Sequence, residues 1–182
     1  DTAIPILQRC LEDSSSLAAK SPANAIYQRL LIEGHLVLGG ALRITAKPDA
    51  FRTEVQQAID IARRLSAADP RNGTWAVAES RALRTLASVD VGFNRHKEGL
   101  ATLNTAVSLM KQKMSELPAV PEYAAEAADA LLDASLYLRN NHEYTLAASR
   151  AEDALEILRK YPATEDGRRR ISRSNLLLGF AL

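Results

Sequence analysis

Pro-Ala-Asn at 22–24 is followed by Tyr27, and Pro-Arg-Asn at 70–72 by Trp75, so a turn signal with a trailing aromatic recurs after 48 residues. A recurrence at fixed spacing constrains a fold more than composition does, because each period is one unit that must bury its apolar face against the next. The same shift aligns further columns. Aromatics run Tyr27, Trp75 and Tyr123, then Ile171, while Leu38, Leu86 and Ala134 share a position with Leu182 in register. Ala58, Ala106 and Ala154 form a small column preceded by Cys10, and the adjoining position holds Leu11, Ile59, Val107 and Leu155. Chance in an Ala- and Leu-rich chain explains one or two such columns, not all of them.

Each period carries two helical patterns. After the Pro/Asn signal, Ile26, Leu30, Leu31, Gly34, Leu38 and Ala41 lie three or four apart and predict one broad apolar or small face. A second face follows in Val55, Ala58, Ile59, Ala62 and Leu65 before Asp69-Pro70 stops the helix. Ser21-Pro22, Lys47-Pro48, Pro118 to Pro121 and Tyr161-Pro162 supply the other breaks. Helices are therefore expected over about 2–19, 23–45, 49–68, 73–92, 95–116, 122–140, 142–160 and 166–182, as antiparallel pairs stacked on their neighbours. The whole chain reads as one helical repeat domain: a partial hairpin at 1–21, repeats at about 22–69, 70–117 and 118–165, and a partial repeat at 166–182.

Composition narrows the partners. With 23 basic and 22 acidic residues the net charge is +1, so no global field draws the chain onto nucleic acid or an anionic membrane. Apolar runs such as "LVLGGAL" and "LLLGFAL" fall far short of the roughly 18–20 residues a spanning helix needs, and a soluble segment is expected. The single cysteine, Cys10, rules out an internal disulfide and fits the cytoplasm, although an extracytoplasmic helical domain of a membrane protein fits too. Asp1 at the start and apolar residues at the end read as a piece of a longer polypeptide.

With these columns placed, the chain resembles the tetratricopeptide repeat family in a long variant. The third repeat fits best, with Leu131, Ala134-Ser135 and Leu138 on its first helix and Tyr144, Ala147, Ala151 and Ala154 on its second. The first carries His35, Leu38-Gly39, Leu42 and Ala58; the second carries Leu83, Leu86-Ala87, a discordant Asp90, and Ala106. Small residues suit helix crossings, where only Gly, Ala or Ser lets backbones approach. The family's usual period is about 34 residues, so helices longer by one or two turns are implied. The resemblance implies an all-α, right-handed α-solenoid of stacked antiparallel helix hairpins. Stretches such as "RLSAADPRNGTW" also look like repeat arrays attached to bacterial signalling proteins, including receptor-type serine/threonine kinases.

Residues that could carry chemistry are few. His35, His96 and His142 have no ligand-type neighbour three or four residues away on a helix, so no metal is expected. His35 sits at a core column, and the other two sit near interhelix turns. Gly34, Gly39 and Gly40 lie inside an amphipathic helix with no preceding strand and no following Gly-Lys-Ser/Thr, which reads as close helix packing and not a phosphate loop. Cys10 reads as a small buried hydrophobe. No serine has an evident base, and neither a cofactor nor catalysis is expected.

Charge is patterned in two places. Glu122, Glu126, Asp129 and Asp133 form an acidic stripe, and Arg168, Arg169, Arg170 and Arg173 form a basic cluster. Glu33, Arg81 and Asp129 are register equivalents, so their charges alternate along the stack; a solvated face with pairing between neighbours accounts for the pattern. In the family that the chain resembles, the first helix of each pair lines a concave groove. The matching positions here are Glu33, Leu36, Gly40 and Arg43, then Arg81, Arg84 and Ser88, then Asp129, Leu132, Leu136, Arg139 and Asn140. This mixture suits an extended peptide or a helix of mixed charge. The expected function is a non-catalytic protein-protein interaction module binding a peptide or partner protein. The competing expectation is a sensor or regulatory domain of a larger signalling protein, acting by ligand binding or dimerisation. Self-association through the apolar last helix would make a homodimer.

Overall fold

The computed structural model describes residues 3–45, 47–92, 95–118, 120–160 and 165–179. Among these it is all-α: α1 (Ala3–Lys20), α2 (Ala25–Ile44), α3 (Pro48–Ala68), α4 (Gly73–Gly92), α5 (His96–Glu116), α6 (Pro121–Asn140), α7 (Tyr144–Arg159) and α8 (Glu165–Gly179). The sequence boundaries agree within two residues up to the end of α7. Pro162, Leu182 and the Phe180–Leu182 end of "LLLGFAL" lie outside the described residues. The chain separates into two compact units, Asp1–Val89 and Asp90–Leu182.

The recurring turn signal has a direct physical basis. Asn24 Oδ1 accepts from the backbone N–H groups of Ile26 (3.0 Å) and Tyr27 (3.3 Å), and Asn72 Oδ1 accepts from that of Thr74 (3.3 Å). Each asparagine satisfies donors that the first helical turn leaves without partners. The backbone repeats the turn as well: the N–H groups of Asn24, Asn72 and Val120 donate to the carbonyls of Ser21, Asp69 and Leu117. In the third instance Val120 offers no side-chain cap, and Pro121 at the first helical position supplies the preset backbone angle. Asn24→Ala should therefore cost about 1 kcal/mol, whereas Val120→Ala loses no cap; urea unfolding of the two variants checks the difference.

In the first unit α2 packs between α1 and α3. Phe51, Val55, Ala58, Ile59 and Ala62 of α3 are buried, as the spacing predicts apart from the added Phe51, while Leu65 is half-buried. A Cβ on Gly39 would lie 3.2 Å from Val55 Cγ2, and one on Gly34 would lie 3.1 Å from Leu11 Cδ1. Those two glycines permit close helix approach. Gly40 has open space around it and is no packing glycine.

The apolar face of α2 differs from the sequence reading. Its buried residues are Gln28, Ile32, Leu38, Gly39 and Leu42, whereas Ile26 and Leu30 stand in solvent. This helix is apolar nearly all round, so periodicity alone selects no single face. Contact with α1 and α3 does. Cys10 is likewise exposed and not buried: its neighbour Leu11 is the residue that reaches Gly34, and the next position round the helix turns away. The register equivalents Ala58, Ala106 and Ala154 are fully buried.

In the second unit α6 packs against α5, α7 and α8. Leu103, Met110, Leu131 and Ala151 lie in the core, and Ser135 Oγ donates to the Ala147 carbonyl at 2.8 Å where α6 and α7 approach. The discordant Asp90 is buried, with Arg95 Nε 3.4 Å from its Oδ1, so a compensating cation accompanies the buried carboxylate. Tyr144 is exposed and fills no core column.

α6 ends in a Schellman turn: the N–H of Glu143 donates to Leu138 and that of His142 to Arg139, each at 2.9 Å. His142 has φ 64°, in the left-handed region that glycine enters at least cost. His142→Gly should raise stability by about 0.5–1 kcal/mol, a gain that thermal unfolding would register.

Candidate functional site

The exposed apolar surface of α2 is the feature that packing does not absorb. Ile26, Leu30, Val37 and Ile44 keep 64%, 45%, 51% and 82% of their surface in solvent. At about 100° per residue these four side chains fall within about 40° of one another round the helix, and at about 1.5 Å per residue they run about 27 Å along it. Aliphatics exposed singly are ordinary; these four are aligned in one row.

The repeat register shows that this seam is not needed for the fold. The equivalent positions are Thr74, Ala78, Thr85 and Gly92 in the second repeat, and Glu122, Glu126, Asp133 and Asn140 in the third. Both sets form helices of the same length, α4 and α6, without aliphatic residues there. Chemistry that changes from aliphatic to small to acidic at one helical position reports what each helix faces, not what a helix requires.

Charge accompanies the seam, with Arg29 and Arg43 on one border and Glu33 within it. Arg29, Glu33 and Arg43 are exposed, and their side chains make no hydrogen bond or ion pair with other described residues. Leu36 is half-buried beside them, and Gly40 leaves a shallow gap where a side chain would otherwise stand. The structure thus brings the predicted Glu33, Leu36 and Arg43 onto the same surface as four aliphatics. The helical spacing puts Ile26 and Leu30 on the core face, so the sequence carries no sign of their exposure. On α4, Arg81 is exposed and Arg84 half-buried.

The second-unit residues of the expected lining stand differently. Asp129 takes a two-pronged ion pair from Arg170, Nε to Oδ1 at 2.9 Å and Nη2 to Oδ2 at 3.0 Å, and Arg173 Nη2 donates to Asp133 Oδ1 at 2.9 Å. The acidic stripe and the arginine cluster therefore pair with one another and fasten α8 to α6. Leu132 has 0% exposure and lies in the core, while Leu136 and Arg139 are half-buried. On α8, Leu177 is buried and Leu176 exposed.

A recess of about 490 Å³ on the first unit is lined in part by Gln8, Leu11, Glu12, Ser15, His35 and Glu54. His35 Nδ1 and Glu54 Oε2 are 2.8 Å apart, so His35 is a paired polar residue and not only a packing one. Glu54 lies 19 residues away on the facing helix, a separation that carries no local signal. Among the described residues no group of three His, Cys, Asp or Glu is placed to hold a metal ion.

Two carboxyls with displaced acidity lie elsewhere: hydrogen bonds from Lys113 to Glu116 and from Lys160 to Glu156 hold both below the ordinary value. Such pairs stabilise above the unfolded carboxyl's range and lose that contribution as pH falls through the folded one. No described helix is long and apolar enough to cross a membrane. In comparisons with known proteins, no family model and no curated relative matches this chain.

Proposed function

We propose that the chain is a non-catalytic protein-interaction module: a right-handed array of tetratricopeptide-like hairpins whose α2 presents a docking face. The observation that carries this reading is the row Ile26, Leu30, Val37 and Ile44, exposed along one side of α2 and replaced by Thr, Ala, Thr and Gly at the equivalent positions of α4 and by Glu, Glu, Asp and Asn at those of α6. Apolar surface of that kind gains free energy only when something covers it, at roughly 25 cal/mol per Å² removed from water. Arg29, Glu33 and Arg43, unpaired among the described residues, suit selection among candidate partners, since charge at an interface contributes chiefly to orientation and specificity.

A photoreactive amino acid at Val37, compared with one at the exposed Glu152, tests the proposal in cells that make the protein. A discrete protein adduct from position 37 and none from 152 is the expected result. No protein adduct at 37, or the same adducts from both positions, would remove the docking face.

A further inference from the structure

Building on that reading of α2, we propose that the partner presents an amphipathic α-helix with acidic flanks and one basic residue within its apolar stripe. The spacing selects a helix. Along α2, positions 26, 30, 33, 37, 40 and 44, exposed except for the half-buried Gly40, alternate steps of four and three, the repeat by which one helix seats the side chains of another. An extended peptide presents side chains to one face every second residue, at a separation that does not follow this step. Gly40 supports the same conclusion: nothing lies within 4 Å of a Cβ built there, so a large partner side chain can enter between Val37 and Ile44.

Charge selects the kind of helix. Arg29 and Arg43 stand two heptads apart on one border of the seam, and both are exposed and unpaired among the described residues. Acidic residues along the facing border of the partner would meet both. Glu33 occupies a seam position itself, and covering it leaves a carboxylate out of water unless a lysine or arginine stands opposite. Hence the partner's stripe must contain a cation at that level.

The same residues argue against a second copy of this chain. Antiparallel pairing of two α2 helices sets Ile26 opposite Ile44 and Leu30 opposite Gly40, but places Glu33 on Val37 and brings Arg29 beside Arg43. Parallel pairing stacks Glu33 on Glu33. Either arrangement covers a carboxylate without a cation, and like charges across an interface are penalised.

The test uses the full chain and a synthetic three-heptad helix with a leucine stripe, glutamate flanks and one central lysine, read by fluorescence anisotropy at low salt. A twin with lysine flanks and a central glutamate is the control. The glutamate-flanked probe is expected to bind at least about tenfold tighter. Val37→Asp or Ile44→Asp should weaken it more than about tenfold, and Glu33→Lys should shift preference toward a central glutamate. All three substituted positions are solvent-exposed, so circular dichroism should be unchanged.

Equal affinity for the two probes, no binding of either, or binding that survives both aspartate substitutions would overturn the helix assignment. So would a parent chain that sediments as a dimer and becomes monomeric with Val37→Asp, which would put a second copy in the seam. A protein adduct at Val37 alongside any of these results would leave the docking face standing and remove only the partner class.

Discussion

Replacing Phe51 with alanine should destabilise the first unit by about 3–5 kcal/mol. Phe51 is fully buried on α3, and a Cβ at Gly39 of α2 would lie 3.5 Å from its ring, so the two helices meet across it. Alanine leaves a void that close-packed neighbours fill only in part, and that residual cavity adds to the lost transfer free energy. The chain's one tryptophan, Trp75, is buried in the same unit, so its fluorescence follows the unfolding that matters. Ile44→Ala is the matched control: it removes aliphatic atoms from a side chain that keeps 82% of its surface in solvent and should change stability by less than about 0.5 kcal/mol. Similar midpoints in urea for the two variants would show that α2 and α3 do not pack as described.

Reversing either charge of the Asp129 and Arg170 pair should cost the second unit about 2–4 kcal/mol, and exchanging the two should restore much of the loss. Both hydrogen bonds are short and parallel, and the side chains retain only 14% and 24% of their surface in solvent, so water screens them little. Asp129→Arg would set two guanidinium groups against each other where α8 meets α6. Arg170→Asp would do the same with two carboxylates. The double exchange reinstates opposite charges with altered lengths, which is why recovery should be incomplete. Hydrogen exchange of α8 amides provides the readout: faster exchange in each single variant than in the exchanged pair is expected. Equal protection in the parent and both single variants would mean that α8 is held by its apolar contacts alone.

The expected groove and the observed ion pairs lead to different readings of Asp129. As a sequence position it matches a groove-lining column, and its carboxylate looks available. In the fold a helix 41 residues later delivers a guanidinium to it. Leu132 shows the same limit: the column it matches lies on a lining surface in the family that the chain resembles, but here α6 turns that residue inward. The face a helix buries depends on every neighbour, and α5, α7 and α8 all pack against α6.

Local sequence accounts for the helical segments and breaks found among the described residues and for the 48-residue spacing between equivalent turns. Those follow from local physics, because asparagine caps, proline at helix starts and runs of small and aliphatic residues act within one or two turns of where they stand. Which way each helix faces is set by tertiary packing. Cys10 aligns with three buried alanines yet is exposed, and Ile26 and Leu30 continue an apolar pattern yet lie outside the core. A helix such as α2 offers nearly equal apolar surface in several directions, so its orientation is set by neighbours such as Leu11 and Val55, which close on Gly34 and Gly39. What remains uncovered after that choice is the apolar row that we propose as a docking face.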